Sequence, residues 1–195
     1  MTRNLYLVGY RGTGKSTVGR LVAEALNRPL VDLDGRIESE AGRSIAEIFA
    51  DEGEGGFRER EALALVDASR QSPSASDGGL PTFAGAPAPT ISSIIATGGG
   101  IVLREENRRV LQTTGFVVWL QASPEILWQR IRADTHTAAR RPNLTSGGLG
   151  EIVELLAARE RFYREVADAV VDAGGASPEA VADAILTAIR FSPSD

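Results

Sequence analysis

Nine residues near the amino terminus, Gly9-Tyr10-Arg11-Gly12-Thr13-Gly14-Lys15-Ser16-Thr17, fit the phosphate-binding pattern G-x-x-x-x-G-K-[ST]. Each residue type has a task there. Glycine lets the chain turn tightly and come close to a polyphosphate. The N–H groups of such a loop, with the partial positive charge of a following helix N-terminus, favour an anion. Lys15 can reach the β- and γ-phosphates of a nucleoside triphosphate, and the Ser16 hydroxyl can ligate Mg²⁺. Gly12, Thr13, Gly14, Lys15, Ser16 and Thr17 are therefore the expected ATP-binding residues. Of the 21 Lys and Arg residues, Lys15 alone is lysine. A compact ammonium stands where phosphates would crowd, and arginine, whose forked guanidinium does not substitute for it, is used everywhere else.

Other residues could complete a reaction. Asp32 and Asp34 close a short apolar run, and alternation along an extended chain is expected to put them on one side. One carboxylate could then serve Mg²⁺ through water and the other a substrate hydroxyl. Arg58 follows Phe57 at the start of a helix and by itself reads as a surface arginine. Arg159 is more telling, because it falls on the apolar stripe Ile152, Leu155, Leu156, Phe162, Tyr163, Val166. A guanidinium facing a core without a partner is expensive. It must pair with a buried acid such as Glu61 or line a pocket that takes an anion. Together Arg58 and Arg159 would clamp a carboxylate. Gly98-Gly99-Gly100 offers backbone N–H groups at a strand end. Arg140-Arg141-Pro142 lies in a polar, glycine-bearing segment, 134–149, with the character of a lid that excludes water and brings positive charge. His136, the single histidine, reads as a surface residue, Trp119 and Trp128 as packing residues, and Glu52 and Glu54 as part of a solvated loop.

The elements that must position these residues alternate. Leu5–Val8 reads as a buried strand, and Val18, Leu21, Val22 and Ala25 give the helical stripe after the glycine loop. A second strand is expected over Arg28–Asp32, then a helical turn over Gly35–Ala41 stopped by Gly42. A capping box pairs Ser44 with Glu47. Glu52–Gly56 reads as a loop and Phe57–Arg70 as a helix with Leu63 and Val66 inward. Gln71–Ser93, rich in Ser, Gly and Pro, reads as a mobile surface excursion. Further strands are expected at Ile94–Thr97, Phe116–Leu120 and Ala169–Asp172, and helices at Arg104–Gln112, from Ser123-Pro124 to Arg132, at Gly150–Val166, and from Ser177-Pro178 to Arg190. This alternation predicts a parallel α/β sheet with ligands at the strands' carboxyl ends.

The bulk numbers agree. At 195 residues, 43% hydrophobic and 24% charged, one soluble domain spanning 1–195 is expected. A net charge of −5 supplies no general attraction to nucleic acid or an anionic membrane, so an anionic ligand needs local arginines. The chain has no cysteine, which excludes thiolate chemistry and fits a reducing compartment. No signal-peptide pattern precedes the first strand and no apolar run is long enough to cross a bilayer, so a cytoplasmic protein is expected.

The set as a whole resembles the shikimate kinases, within the nucleoside monophosphate kinase-like group of P-loop folds. The resemblance covers nearly the whole chain except Gln71–Ser93. Its most specific part is Asp32-Leu33-Asp34-Gly35-Arg36-Ile37-Glu38, then Gly42-Arg43-Ser44-Ile45-Ala46-Glu47-Ile48-Phe49 and Gly53-Glu54, then Phe57-Arg58-Glu59-Arg60-Glu61. It implies a five-stranded parallel sheet in order 2-3-1-4-5 and ATP-dependent phosphorylation of the shikimate 3-hydroxyl, on the way to chorismate and the aromatic amino acids. By the same resemblance residues 34–61 form the substrate-binding segment. Asp34 would hold the hydroxyl, either as its base or as a positioning group alone, Arg58 and Arg159 would grip the carboxylate, and Gly98, Gly99 and Gly100 would approach the ring. Ser16 and Asp32 would hold Mg²⁺, while Lys15 and the lid residue Arg141 would stabilise the transferring phosphoryl. Arg132 and Pro178 correspond to adenine-contacting positions, and Ile45, Phe49, Phe57 and Pro142 would wall the pocket. The expected partners are shikimate and ATP alone, with the protein a monomer. Two departures stand out: Asn143 precedes Leu144 where the family shows a leucine doublet, and Gln71–Ser93 is longer than the usual connection.

Three other readings fit parts of the pattern. A gluconate kinase would also use a carboxylate clamp, but the segment from Asp34 to Arg58 favours shikimate. A nucleoside monophosphate kinase is disfavoured by a clamp suited to a small carboxylate. A nucleotide-dependent regulatory module without catalysis would not need the full set Lys15, Asp32, Asp34, Arg58, Arg141 and Arg159.

Overall fold

Apolar residues at both parities of its strands give the sheet two buried faces. The structure, a computed structural model, describes residues 2–70, 90–133 and 147–191. Strand β1 (Thr2–Val8) lies at the centre, flanked by β3 (Thr90–Ala96) and β4 (Gly115–Gln121), with β2 (Leu30–Asp32) and β5 (Ala169–Asp172) at the edges. All pairings are parallel and the order is β2-β3-β1-β4-β5, as expected. Tyr6 and Val8 of β1 face one way, with Ile95, Val117 and Trp119, into a core with α2 (Leu33–Ala41), α3 (Ile45–Arg70), α4 (Glu105–Thr114) and α6 (Gly148–Val166). Leu5 and Leu7 face the other way, with Ile94, Val118 and Leu120, onto α1 (Lys15–Leu26) and α7 (Pro178–Arg190). A smaller cluster of Tyr10, Leu127, Ile131 and Ile152 lies where α5 (Pro124–Ala133) meets α6.

The caps largely follow the sequence. Ser44 and Glu47 form the reciprocal capping box, which holds the Glu47 carboxyl below its usual range through the Ser44 hydrogen bonds. Gly42 closes α2 in the left-handed conformation, and Ser177 caps α7 ahead of Pro178.

Several expectations are corrected. Strand β2 begins at Leu30 rather than Arg28, and β3 begins at Thr90 rather than Ile94. Ser92 and Ser93, assigned to the excursion, are buried in the sheet. Residues 71–89 lie outside the described residues. Glu52–Gly56 is not a loop: α3 runs through it with a kink at Gly53. Within α3 the buried positions are Phe57, Arg58, Glu61, Ala64, Leu65 and Ala68, whereas Leu63, expected inward, is exposed. Helix α6 starts at Gly148, inside the segment read as a lid. Arg140, Arg141, Pro142 and His136 lie outside the described residues.

Candidate active site

The glycine loop leaves β1 and enters α1 at Lys15, so it sits at the carboxyl edge of the sheet. Gly9, Gly12 and Gly14 all have φ between +83° and +143°, which L side chains rarely adopt. A Cβ on Gly9 would also lie 2.5 Å from the Leu120 carbonyl oxygen. The Lys15 ammonium is folded into the loop, donating to the carbonyls of Gly9 and Tyr10 at 2.8 Å each and to Thr13 Oγ1 at 3.3 Å. Thr13 is buried and gives its hydroxyl hydrogen to the Tyr10 carbonyl, so its side chain shapes the loop from within.

Beside the loop, the Ser16 hydroxyl donates to Asp32 Oδ2 at 2.5 Å. A hydroxyl and a carboxylate joined at the mouth of a phosphate loop suit a hard divalent cation that keeps most of its water, with the serine oxygen as direct ligand and the carboxylate behind it. Asp32 has a second task as N-cap of α2, where Oδ1 accepts from the N–H groups of Asp34 and Gly35. This corrects the alternation argument for the two acids. Asp34 belongs to the first turn of α2, not to an extended strand, and its charge meets the favourable end of the helix dipole.

Opposite the loop, two arginines converge on one glycine turn. Arg58 is buried, not a surface residue, and donates through Nη1 to Glu61 Oε2 at 2.8 Å and through Nη2 to Glu54 Oε1 at 3.1 Å. Its guanidinium lies against Gly100 so closely that a Cβ there would fall on it. Arg159 is 6% exposed and donates through Nη1 to the carbonyl of Gly99 at 3.3 Å. Glu61, considered above as a partner for Arg159, is gripped by Arg58. Adjacent residues of one buried turn therefore gather guanidinium groups from α3 and α6. Gly99 in turn packs on the phosphate loop, where its Cβ would lie 3.2 Å from the Arg11 nitrogen. Gly100→Ala should displace Arg58 and raise the KM of a carboxylate acceptor by about tenfold to a hundredfold, the worth of one hydrogen bond to a charged group. The KM for nucleotide should stay within about threefold. Steady-state kinetics with each substrate varied checks this, and an equal rise in both constants would contradict it.

The kink before Arg58 is braced. Glu52 takes both Nε and Nη2 of Arg60 at 2.8 Å and also binds Arg43, which bonds Asp51 at 2.7 Å. Arg60 holds the Glu52 carboxyl below its usual range. Neither Glu52 nor Glu54 is part of a loop: Glu52 links the two halves of α3 across Gly53, and Glu54 pairs with Arg58 within the second half. Ile45 and Phe57 are buried and Phe49 packs on Phe57 with ring centroids 4.7 Å apart, which gives this lobe an apolar wall.

Two groups of residues escaped the sequence reading. Tyr163, taken only as part of the stripe, donates its hydroxyl to the same Gly99 carbonyl as Arg159, and burial pushes its phenol well above the usual range, so it remains a donor. Trp119 stacks on it at 5.6 Å. Beside the phosphate loop, Arg130 donates to the carbonyls of Gly12 at 3.4 Å, Ala173 at 2.8 Å and Gly174 at 3.2 Å. Arg132 is exposed and lies over the Trp128 ring at 5.5 Å. Helical geometry could have separated them: three residues on from buried Leu127, Arg130 stays near the inward face, whereas Arg132 points away. Pro178 opens α7 just beyond the Ala173–Gly174 carbonyls.

Comparison with known proteins agrees with this geometry. The model of the shikimate kinase family matches residues 11–86 and 82–190. A shikimate kinase of Rhodopirellula baltica is 41% identical over 187 residues, 95% of this chain and 90% of that protein. One from Symbiobacterium thermophilum is 47% identical over 165 residues, 84% of this chain and 83% of that protein. The structure of shikimate kinase from Acinetobacter baumannii in complex with shikimate superposes with a TM-score of 0.80 at 33% identity, covering 96% of this chain and 92% of that one. With a phosphate loop and an arginine-lined glycine turn on one sheet edge, and relatives matched along nearly their full length, the chain belongs to the shikimate kinase family.

Proposed function

We propose that this protein transfers the γ-phosphoryl group of ATP to the 3-hydroxyl of shikimate. One observation carries the acceptor half of that reading: Arg58 and Arg159, buried and drawn from two helices, meet at Gly99–Gly100 beside the phosphate loop. Two guanidinium forks can take a carboxylate in two directions and so orient the ring that bears it. Asp34, in the first turn of α2, receives the proton of the attacking hydroxyl. Gly98, Gly99 and Gly100 lie under the ring, and residues 34–61 make up the acceptor segment.

Phosphoryl transfer proceeds through a loose, in-line transition state, so the protein's work is positioning and charge stabilisation. Gly12, Gly14, Lys15, Ser16 and Thr17 take the phosphates, with Thr13 shaping their loop. Arg132 and Pro178 would meet the base, while Arg130 would hold the backbone behind it through the carbonyls of Gly12, Ala173 and Gly174. Lys15 and Arg141 are the two cations that meet the developing charge. Ser16 would ligate Mg²⁺ directly and Asp32 through water. When bound, that ion neutralises charge between the β- and γ-phosphates. The reading includes a cytoplasmic monomer, which sedimentation and fractionation can check. No helix among the described residues is long and apolar enough to cross a membrane.

The deciding experiment measures ADP release with shikimate or gluconate as acceptor. Turnover of shikimate is the expected result; turnover of gluconate without shikimate would overturn the reading, and shikimate binding without ADP release would mark a module that has lost catalysis. Asp32→Asn keeps a competent N-cap for α2. It should raise the Mg²⁺ concentration for half-maximal rate by about 10- to 100-fold, the usual cost of losing an outer-sphere partner. An unchanged Mg²⁺ dependence would remove Asp32 from the metal site.

A further inference from the structure

Arg11 occupies a variable position of the phosphate loop, yet its side chain is tied to a different element. Its Nη2 lies 3.1 Å from Glu151 Oε1, and the two side chains are 14% and 1% exposed. The other carboxylate oxygen, Oε2, accepts from the Gly147 N–H at 3.0 Å. Glu151 belongs to the first turn of α6, where the helix dipole favours its charge. Eight residues further on, the buried face of the same helix carries Arg159. The Arg159 guanidinium lies 5.7 Å from the Tyr10 ring centroid, and that of Arg11 lies 5.9 Å from the same ring. Helix α6 is thus fastened to consecutive loop residues at two levels, by an ion pair near its start and by a cation–ring contact further along.

Hydrocarbon side chains of similar volume could stabilise this junction as well as a buried ion pair does, because desolvation cancels much of the Coulombic gain. What the pair adds is direction: a carboxylate held by Arg11 and Gly147 fixes α6 relative to the loop in a way that packing alone does not. We propose that Arg11 and Glu151 are positioning residues that couple the nucleotide loop to the helix bearing Arg159, so that filling one site tightens the other. The proposal rests on the reading of the two sites given above. Neither residue contacts acceptor or phosphoryl group in that reading; both act through Tyr10, Arg159 and the loop. By linkage the effect is reciprocal: whatever factor ADP applies to shikimate affinity, shikimate applies to ADP affinity.

Calorimetry tests this by measuring the Kd of shikimate with and without Mg-ADP, and that of Mg-ADP with and without shikimate. In the unaltered protein each ligand should tighten the other by about 5- to 20-fold, within the usual range for coupled sites. Glu151→Gln preserves shape and should bring the factor to within twofold of one, with each ligand's separate Kd changed less than threefold. The double variant Arg11→Met with Glu151→Met removes the buried charge altogether, keeps the junction apolar, and should also lose the coupling. The exchange Arg11→Glu with Glu151→Arg should regain part of it. A coupling factor in Glu151→Gln equal to that of the unaltered protein would overturn the proposal. So would an unaltered protein without coupling, or separate affinities that collapse together with the factor. If the unaltered protein turns over shikimate and only the factor fails to move, the pair's role is wrong and the function stands. If it turns over no shikimate, both fall.

Discussion

Arg159→Leu should raise the shikimate Kd by about 30- to 4,000-fold, corresponding to about 2–5 kcal/mol for removing one partner of a desolvated charge pair. Leucine suits the helix, because position 159 lies between Leu156 and Phe162, which pack on the two neighbouring apolar clusters, so the fold should survive. What disappears is a guanidinium that is 6% exposed, anchored on the Gly99 carbonyl and laid over the Tyr10 ring. A shikimate carboxylate entering that space would shed water and find Arg58 alone. Arg159→Lys retains a charge but not the planar fork or the ring contact, and should fall between the two. The Kd for ADP alone should stay within about threefold, because Arg159 donates to the Gly99 carbonyl and the phosphate loop's N–H groups remain in place without it. Titration of both ligands against each variant, with thermal melts to confirm folding, decides the matter. A folded Arg159→Leu protein that binds shikimate normally would end the clamp.

Such a pairing of distant arginines shows where sequence stops being informative. The phosphate loop was legible because all of its chemistry is local: strand, glycines, lysine and helix start are contiguous, and the backbone has one way to satisfy them. The sheet order followed from resemblance, and the strands themselves from apolar runs. Arg159 was conspicuous because it broke an apolar stripe, but its partner was not, since spacing along α6 says nothing about α3. Arg58 reads as a surface arginine by itself and joins the clamp only beside Arg159 and by resemblance; its enclosure by Glu61 and Gly100 is a tertiary fact that no spacing carries.

The errors have a common cause. Leu63 was assigned inward by hydrophobicity, yet the inward face of α3 is built from Phe57, Glu61, Ala64, Leu65 and Ala68. A buried acid and two alanines hide that stripe from any scale that rewards large apolar side chains. Ser92 and Ser93 misled in the same way, because small hydroxyl residues look like loop when they serve as tight packing within β3. The three glycines after Glu52 suggested a loop, but Glu52 is held by arginines from both sides of the kink, so the helix continues with one residue out of line. In each case tertiary pairing overrode a local preference.

Lys15→Met should lower kcat by about a hundred- to a thousandfold, comparable to losing one preorganised donor to a developing anion, about 2.7–4 kcal/mol. The ammonium already lies inside the loop, held by two carbonyls and the Thr13 hydroxyl, so it can exchange those acceptors for phosphate oxygens with little movement. Methionine has nearly the same length and flexibility, which limits the change to charge and hydrogen bonding. Arg in place of Lys15 should restore little, because the site is 9% exposed and bounded by backbone oxygens spaced for a single ammonium. Since transition-state charge is what the ammonium answers, kcat should fall further than KM for ATP rises. The composition provides an independent check. Lys15 is the sole lysine, so an amine-directed reagent has one ε-amino target and the terminal amine as an internal reference. Mg-ATP should protect the first and leave the second reactive, and shikimate alone should protect neither. A Lys15→Met protein within threefold of normal kcat, or equal labelling of Lys15 with and without Mg-ATP, would mean that this ammonium is not the cation that meets the phosphoryl group.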